Sequence, residues 1–256
     1  MNSQRWLAYF QNNRLNRVEP QWHLPCPDEV PMRKKLARSL SHFELGESGE
    51  GRFLLKQARQ YAEAANDPAY FEALALFIQE EQEHGRLLRE LVKRFDGNLT
   101  HRHWTHSVFR LLRRAFGLDF EIQVLVIAEL VGTAYYRLLH LRGRDPALDQ
   151  ACALVLRDEA KHIEFHCDRL AMLHRELLPC ERALWCWQFQ ALFLGAARAA
   201  WLDHAECLLA LGATRHEFLR EARKECIAFL RKLCSADQPI GIPAPHRECA
   251  EEAGAL

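Results

Sequence analysis

Two stretches of the chain set ionisable side chains inside segments that otherwise read as apolar helix: FIQEEQEHGRLL at 77–88 and VLRDEAKHIEFH at 155–166. Residues three apart share a helix face, so Glu81 projects with His84, and Glu159 with His162. Glu81 falls on the stripe Leu74, Phe77, Ile78, Leu88, Val92, and Glu159 on the stripe Cys152, Val155, Leu156, Phe165. These are core faces, where a carboxylate with no partner is strongly destabilising. A cation must meet them. An arginine would serve, but each acid comes with an imidazole, and Glu-x-x-His on one face is a ready oxygen-and-nitrogen ligand pair for a metal ion.

A two-metal site inside a helical bundle needs two further carboxylates from two other helices. Glu129, in VLVIAELVGTAYY, is the only charge between Glu121 and Arg137 and shares a stripe with Ile122, Leu125, Val126 and Gly132. Upstream, FELGESGEGRFLLKQA offers Glu44, Glu47 and Glu50. Glu129 precedes Glu159 by 30 residues, and Glu47 precedes Glu81 by 34. Both gaps suit antiparallel helices whose side chains meet at one height. Glu50, at 31, fits as well, and Glu44, at 37, fits less well. Glycine inside a helix is unfavourable by about 1 kcal/mol relative to alanine. Gly46, Gly49 and Gly51 therefore ask for a reason, and a close backbone approach to the metal pair is one.

The elements that would position these residues are all helical, with no convincing strand alternation. The pattern predicts helices over 3–14, 32–65, 68–95, a short one within the linker 100–117, and others over 118–141, 146–177, 179–212 and 214–234. Pro68 and Pro146 suit first helical turns, Asp96-Gly97 suits a stop, and Thr214 with Glu217 suits a capping box. The expected organisation is an N-terminal short helix and extended arm (1–31), a four-helix bundle (32–177), two added helices packing on it (178–234) and a tail (235–256). The 34 basic and 34 acidic residues balance, so no global field favours nucleic acid or anionic lipid. The longest apolar run, 183–202, contains Gln188, Gln190 and Arg198, which argues against a membrane span. Nine cysteines with no CxxC pair suggest reduced thiols in the cytoplasm and exclude a rubredoxin-like iron centre.

GESGEGRF around Glu47 resembles the GES…R-aromatic segment of rubrerythrins, and EQEHGR resembles their ExEH segment. With DEAKH in a later helix, residues 35–175 resemble the ferritin-like di-iron carboxylate superfamily. The resemblance implies the ligands Glu47, Glu81, His84, Glu129, Glu159 and His162, with Glu81 and Glu159 as bridges between two iron ions. An Mn/Fe pair fits the same hard, anionic cage, and soft copper does not. Metal-bound histidines usually give their other N–H to a carboxylate. In di-iron oxygenases with the DExxH pattern that acid lies on the opposite helix, which implies that Asp158 orients His84 and Glu80 orients His162.

The function so implied is activation of O2 or peroxide to oxidise a small organic substrate, with electrons from a separate donor. A ferroxidase or rubrerythrin-like peroxide reductase is the second reading, and a metal-free interaction bundle the third. An apolar cavity lined by Phe43, Leu125, Tyr136 and Phe165 would favour the first; a packed core with a polar access route would favour the second. Tyr136 and His166 are further candidates beside the metals. Ordinary packing is the simpler account of Tyr135 and Tyr136, and a satisfied core or pocket histidine that of His166 and His204. His101, His103 and His106 look like a cluster but sit in a polar linker with no evident acidic partner. Arg110, Arg113 and Arg114 suit a solvated basic face, and Trp185, Trp187, Phe189 and Phe193 suit core, a homodimer face or the wall of an apolar channel.

Overall fold

The computed structural model describes residues 1–49, 51–113 and 117–236, with the side chains of His106, Arg110, Leu112 and Arg113 also outside the description. Glu50, Arg114 and the tail beyond 236 therefore lie outside the described residues. Among those described the chain is all-helical: α1 Ser3–Leu15, α2 Val30–Glu47, α3 Arg52–Ala65, α4 Pro68–Arg94, α5 Trp104–Arg113, α6 Leu118–Arg142, α7 Pro146–Glu176, α8 Pro179–Ala210 and α9 Arg215–Ala236. Local chemistry explains most ends. Asp67 accepts from Tyr70 N with Pro68 in the first turn, and Asp145 accepts from Ala147 N and Leu148 N ahead of Pro146. Thr214 Oγ1 accepts from Glu217 N at 3.2 Å, and Asp96 leaves α4 through a left-handed φ of 54°.

The long helices pair antiparallel, as side-chain contacts along them show. On α2 and α4, Glu44 meets Arg89 and Ser48 meets Gly85. On α6 and α7, His140 meets Asp149, Glu129 meets His166 and Asp119 meets Arg169. The pairs join through α4 and α7, where Phe77 packs on Phe165 and His84 faces Asp158. Helix α6 is long and apolar enough to cross a membrane by composition, but 89% of that stretch is buried inside the protein. It is the central helix, and α8 and α9 pack against it.

One predicted helix is two. Instead of running unbroken through 32–65, the chain ends α2 at Glu47 and restarts at Arg52, where Gly51 takes φ 59° and caps α3. The glycine-rich stretch is thus a break. Gly46 makes no close approach, since a Cβ there would meet nothing within 4 Å, whereas a Cβ on Gly51 would lie 2.6 Å from Ile78 of α4. On α4 itself Gly85 is close-packed, and a Cβ there would lie 2.7 Å from Ser48 Oγ. The aromatic series on α8 also divides. Phe189 and Phe193 are core, Trp185 stacks on Phe189 at 5.3 Å, and Trp187 is 68% exposed.

Gly51→Ala should lower unfolding stability by about 1–3 kcal/mol in a denaturant titration, because an L-residue strains at this φ and its Cβ presses on Ile78. The same change at Gly46, which faces open space, should have an effect well below that.

Candidate metal centre

Helices α4 and α7 bring Glu81, His84, Glu159 and His162 together, with one ligand atom of each within 4.8 Å of the others. The inward atoms are both Nδ1 nitrogens and the carboxylates. His162 Nδ1 lies 2.9 Å from Glu81 Oε1 and 3.7 Å from Glu159 Oε2. His84 Nδ1 lies 3.7 Å from Glu81 Oε1 and 3.5 Å from Glu159 Oε1. Each glutamate therefore touches both imidazoles. Yet Glu81 Oε1, Glu159 Oε2 and the two Nδ1 atoms are buried without an aligned hydrogen bond. They are close, and they are not paired.

The outward nitrogens are satisfied. His162 Nε2 lies 3.0 Å from Glu80 Oε2, and His84 Nε2 lies 3.4 Å from Asp158 Oδ2. This is the crossed arrangement, each acid orienting the histidine of the facing helix. A residue the sequence pattern did not single out ties the two acids together. Asn13, on α1, donates to Glu80 Oε1 at 2.8 Å and to Asp158 Oδ1 at 3.1 Å. Arg157 adds a bond to Asp158 at 2.9 Å. Trp6 and Phe10 of α1 pack on Phe165, and Phe10 also reaches the ring of His162. Helix α1 is thus a wall of the site, and burial followed by the charges of Glu80 and Asp158 pushes its Tyr9 up to about 12.

Glu47, the last residue of α2, reaches the cluster, and its Oε1 accepts from Tyr136 OH at 3.1 Å. Burial and the nearby charges of Glu81 and Glu159 push the Glu47 carboxyl well above the usual carboxylate range. Tyr136 is likewise raised by burial and by Glu47, so its phenol keeps its proton. Glu129 on α6 is buried with both carboxylate oxygens unpaired, and burial raises its pKa. Its Oε1 lies 3.2 Å from His166 Nε2. His166, for which a satisfied core or pocket histidine is the simpler expectation, has neither ring nitrogen in an aligned hydrogen bond. Glu44 stands outside, its carboxylate held by Arg89 at 2.6 Å and by Ser48 at 2.7 Å.

His204 is a buried histidine bonded to Ser39 Oγ at 2.8 Å, the satisfied core arrangement that is its simpler reading, and Ser39 also bonds Tyr135. These residues sit apart from the cluster, and burial holds His204 down to about 3. His103 does find an acid: its Nδ1 lies 3.6 Å from Asp203, and its ring stacks on His42 at 4.0 Å. His101 is exposed. Tertiary packing decides each case.

The residues fit a metal ion. Buried, unpaired oxygen and nitrogen donors come from α4, α6 and α7, and the outer atoms that would hold the imidazoles in place are already engaged.

No protein-family model, curated protein or solved structure matches the chain.

Without a cation, protons carry the compensation. Burial would lower the pKa of His84, but its hydrogen bond to Asp158 and the adjacent carboxylate of Glu159 raise it to about 9. Burial would raise Glu81, but the adjacent His162 and the charges of both histidines bring it to about 2. A histidine whose folded pKa lies above its unfolded value of about 6.5 contributes stability that is full below that pH and lost as pH rises through the folded value. The raised carboxyls of Glu47 and Glu129 act in the same direction. The metal-free protein should therefore lose unfolding temperature between about pH 6.5 and 9. The increment added by Mn(II) should grow over that range, because ligation needs neutral imidazoles. A metal-free stability that rises with pH there would contradict the assignment. Asn13→Ala should destabilise the metal-free chain by about 1–3 kcal/mol, since it strands two buried acids. It should also weaken Mn(II) binding about 10–100-fold, read by competition with a chelator.

Proposed function

We propose that this chain is a ferritin-like di-iron carboxylate oxidoreductase that uses O2 or peroxide as oxidant. The observation that carries the reading is the contrast within one site: unpaired inward donors on Glu81, His84, Glu129, Glu159 and His162, and satisfied outward nitrogens on both histidines. Four carboxylates and two imidazoles suit two divalent iron ions in charge and hardness. Such a pair supplies redox equivalents to a small oxidant. The chain's own residues do the positioning. Glu81 and Glu159 stand where each faces both imidazoles, Glu80 and Asp158 fix the ring tautomers with Nδ1 inward, and Tyr136 holds a proton 3.1 Å from Glu47.

The reductant divides the two enzymatic readings. Oxidation of a small organic substrate draws support from α8 and α9, which extend the chain beyond four core helices. Specific packing favours the other. Phe165, expected to line a cavity, is fully buried and ringed by Trp6, Phe10, Tyr70 and Phe77 at 5.2–6.2 Å. Phe43 stacks on Tyr135 at 4.3 Å. A crevice where Arg17, Glu80, Glu83, Arg157 and Asp158 stand beside the apolar Val18, Leu87 and Leu154 reaches His84 at the outer edge of the cluster. Packed rings with a charged approach suit ferrous iron or peroxide better than an apolar molecule.

Anaerobic Fe(II) addition should load two ions per chain by elemental analysis, and oxygen should then produce near-ultraviolet and visible absorption absent before exposure. Glu81→Ala and Glu159→Ala should each reduce loading below one ion per chain. Consumption of excess Fe(II) without added organic substrate would favour the ferroxidase reading. A chain that retains no metal would leave only the interaction-bundle reading.

A further inference from the structure

The template of four carboxylates and two histidines leaves one buried residue unexplained. His166 is fully inaccessible, and both its ring nitrogens lack a hydrogen-bond partner. Three other buried histidines each make an aligned hydrogen bond to a polar side chain: His84 to Asp158, His162 to Glu80 and His204 to Ser39. A structural imidazole normally satisfies at least one nitrogen, because an unpaired buried polar atom has lost its hydration with nothing in exchange. Facing His166 is Glu129, 3.2 Å away, with both oxygens unpaired. An ion pair would explain the proximity. It would not explain four donor and acceptor atoms all left without an aligned bond.

We propose that His166 is a seventh metal ligand, and that it makes the two metal positions unequal. The inference rests on the di-metal reading above. Glu159, His162 and His166 stand at i, i+3 and i+7, on one face of α7. Phe77 holds the two imidazoles side by side, meeting His162 edge-on at 4.8 Å and His166 edge-on at 4.7 Å. The position on the α6–α7 side thus draws on Glu129, His162 and His166 besides the shared glutamates. The position on the α2–α4 side draws on Glu47 and His84 only. Glu47 is also the final residue of α2, before the break ahead of α3, and one of its oxygens is occupied by Tyr136. The α6–α7 position is the tighter one. The α2–α4 position, with fewer protein donors, keeps the coordination sites at which a small reactant would bind.

The test is anaerobic titration of the metal-free full-length chain with Co(II), followed by visible absorption, with iron-57 Mössbauer spectra of the Fe(II)-loaded protein beside it. The wild type should take up cobalt in two steps at least tenfold apart in affinity, and the iron form should give two quadrupole doublets of equal area. His166→Leu should weaken the tighter step ten- to a hundredfold, leave the weaker step in place and shift only one doublet. His166→Gln keeps a hydrogen-bond donor near Glu129 and serves if circular dichroism shows His166→Leu to be unfolded; it should reproduce the loss. Two unchanged steps in a folded variant would overturn the assignment of His166 alone. Failure of the wild type to take up cobalt would overturn the metal reading, and this inference with it.

Discussion

Ionised carboxylates withdrawn from water repel one another and lose hydration that nothing apolar replaces. In this protein the consequence is organised in two layers. The outer polar atoms are joined: Asn13 bridges Glu80 and Asp158, which face the outward nitrogens of His162 and His84. The inner atoms are left open toward one another. A chain that satisfies the periphery so fully has not left its centre open through poor packing. The inner layer is complete only with a counter-charge, either protons, as the raised pKa of His84 and Glu47 indicates, or metal cations.

The rest of the fold serves that depth. Antiparallel pairing of α2 with α4 and of α6 with α7 brings side chains from both pairs to one level. Helix α6 carries Glu129 through an almost wholly buried apolar stretch, which only a surrounding layer of helices allows. At the far end of α4, Arg94 is clamped to the fully buried Asp145 and to the carbonyls of Trp22 and Leu24. This fixes the start of α7 against the end of α4. Helix α1, short and remote in sequence, closes the side of the site where the outer acids would otherwise meet water.

The proposed chemistry follows from what this arrangement admits. Ring-on-ring packing around Phe165 fills the space an organic substrate would need, while the crevice that reaches His84 carries charged side chains. Inequality between the two metal positions would separate the tasks, one position holding its ion firmly and the other exposing sites to a reactant.

The sequence by itself determined the helical class, most helix ends and the pairing of Glu81 with His84 and Glu159 with His162. These depend on spacing along one helix and on local capping groups, which are local quantities. The crossed role of Glu80 and Asp158 was implied by the family resemblance and not by spacing. Tertiary structure alone decided the rest. Glu47 could be separated from Glu44 only by seeing Arg89 take the latter, and the glycine-rich stretch proved a break because Ser48 lies against Gly85. Asn13 is an ordinary polar residue until α1 lies across α4 and α7. His166 carries no periodic mark beyond that of a core position. Its unpaired nitrogens exist only relative to Glu129 on another helix, and long-range contacts of that kind leave no trace in spacing along one strand of sequence.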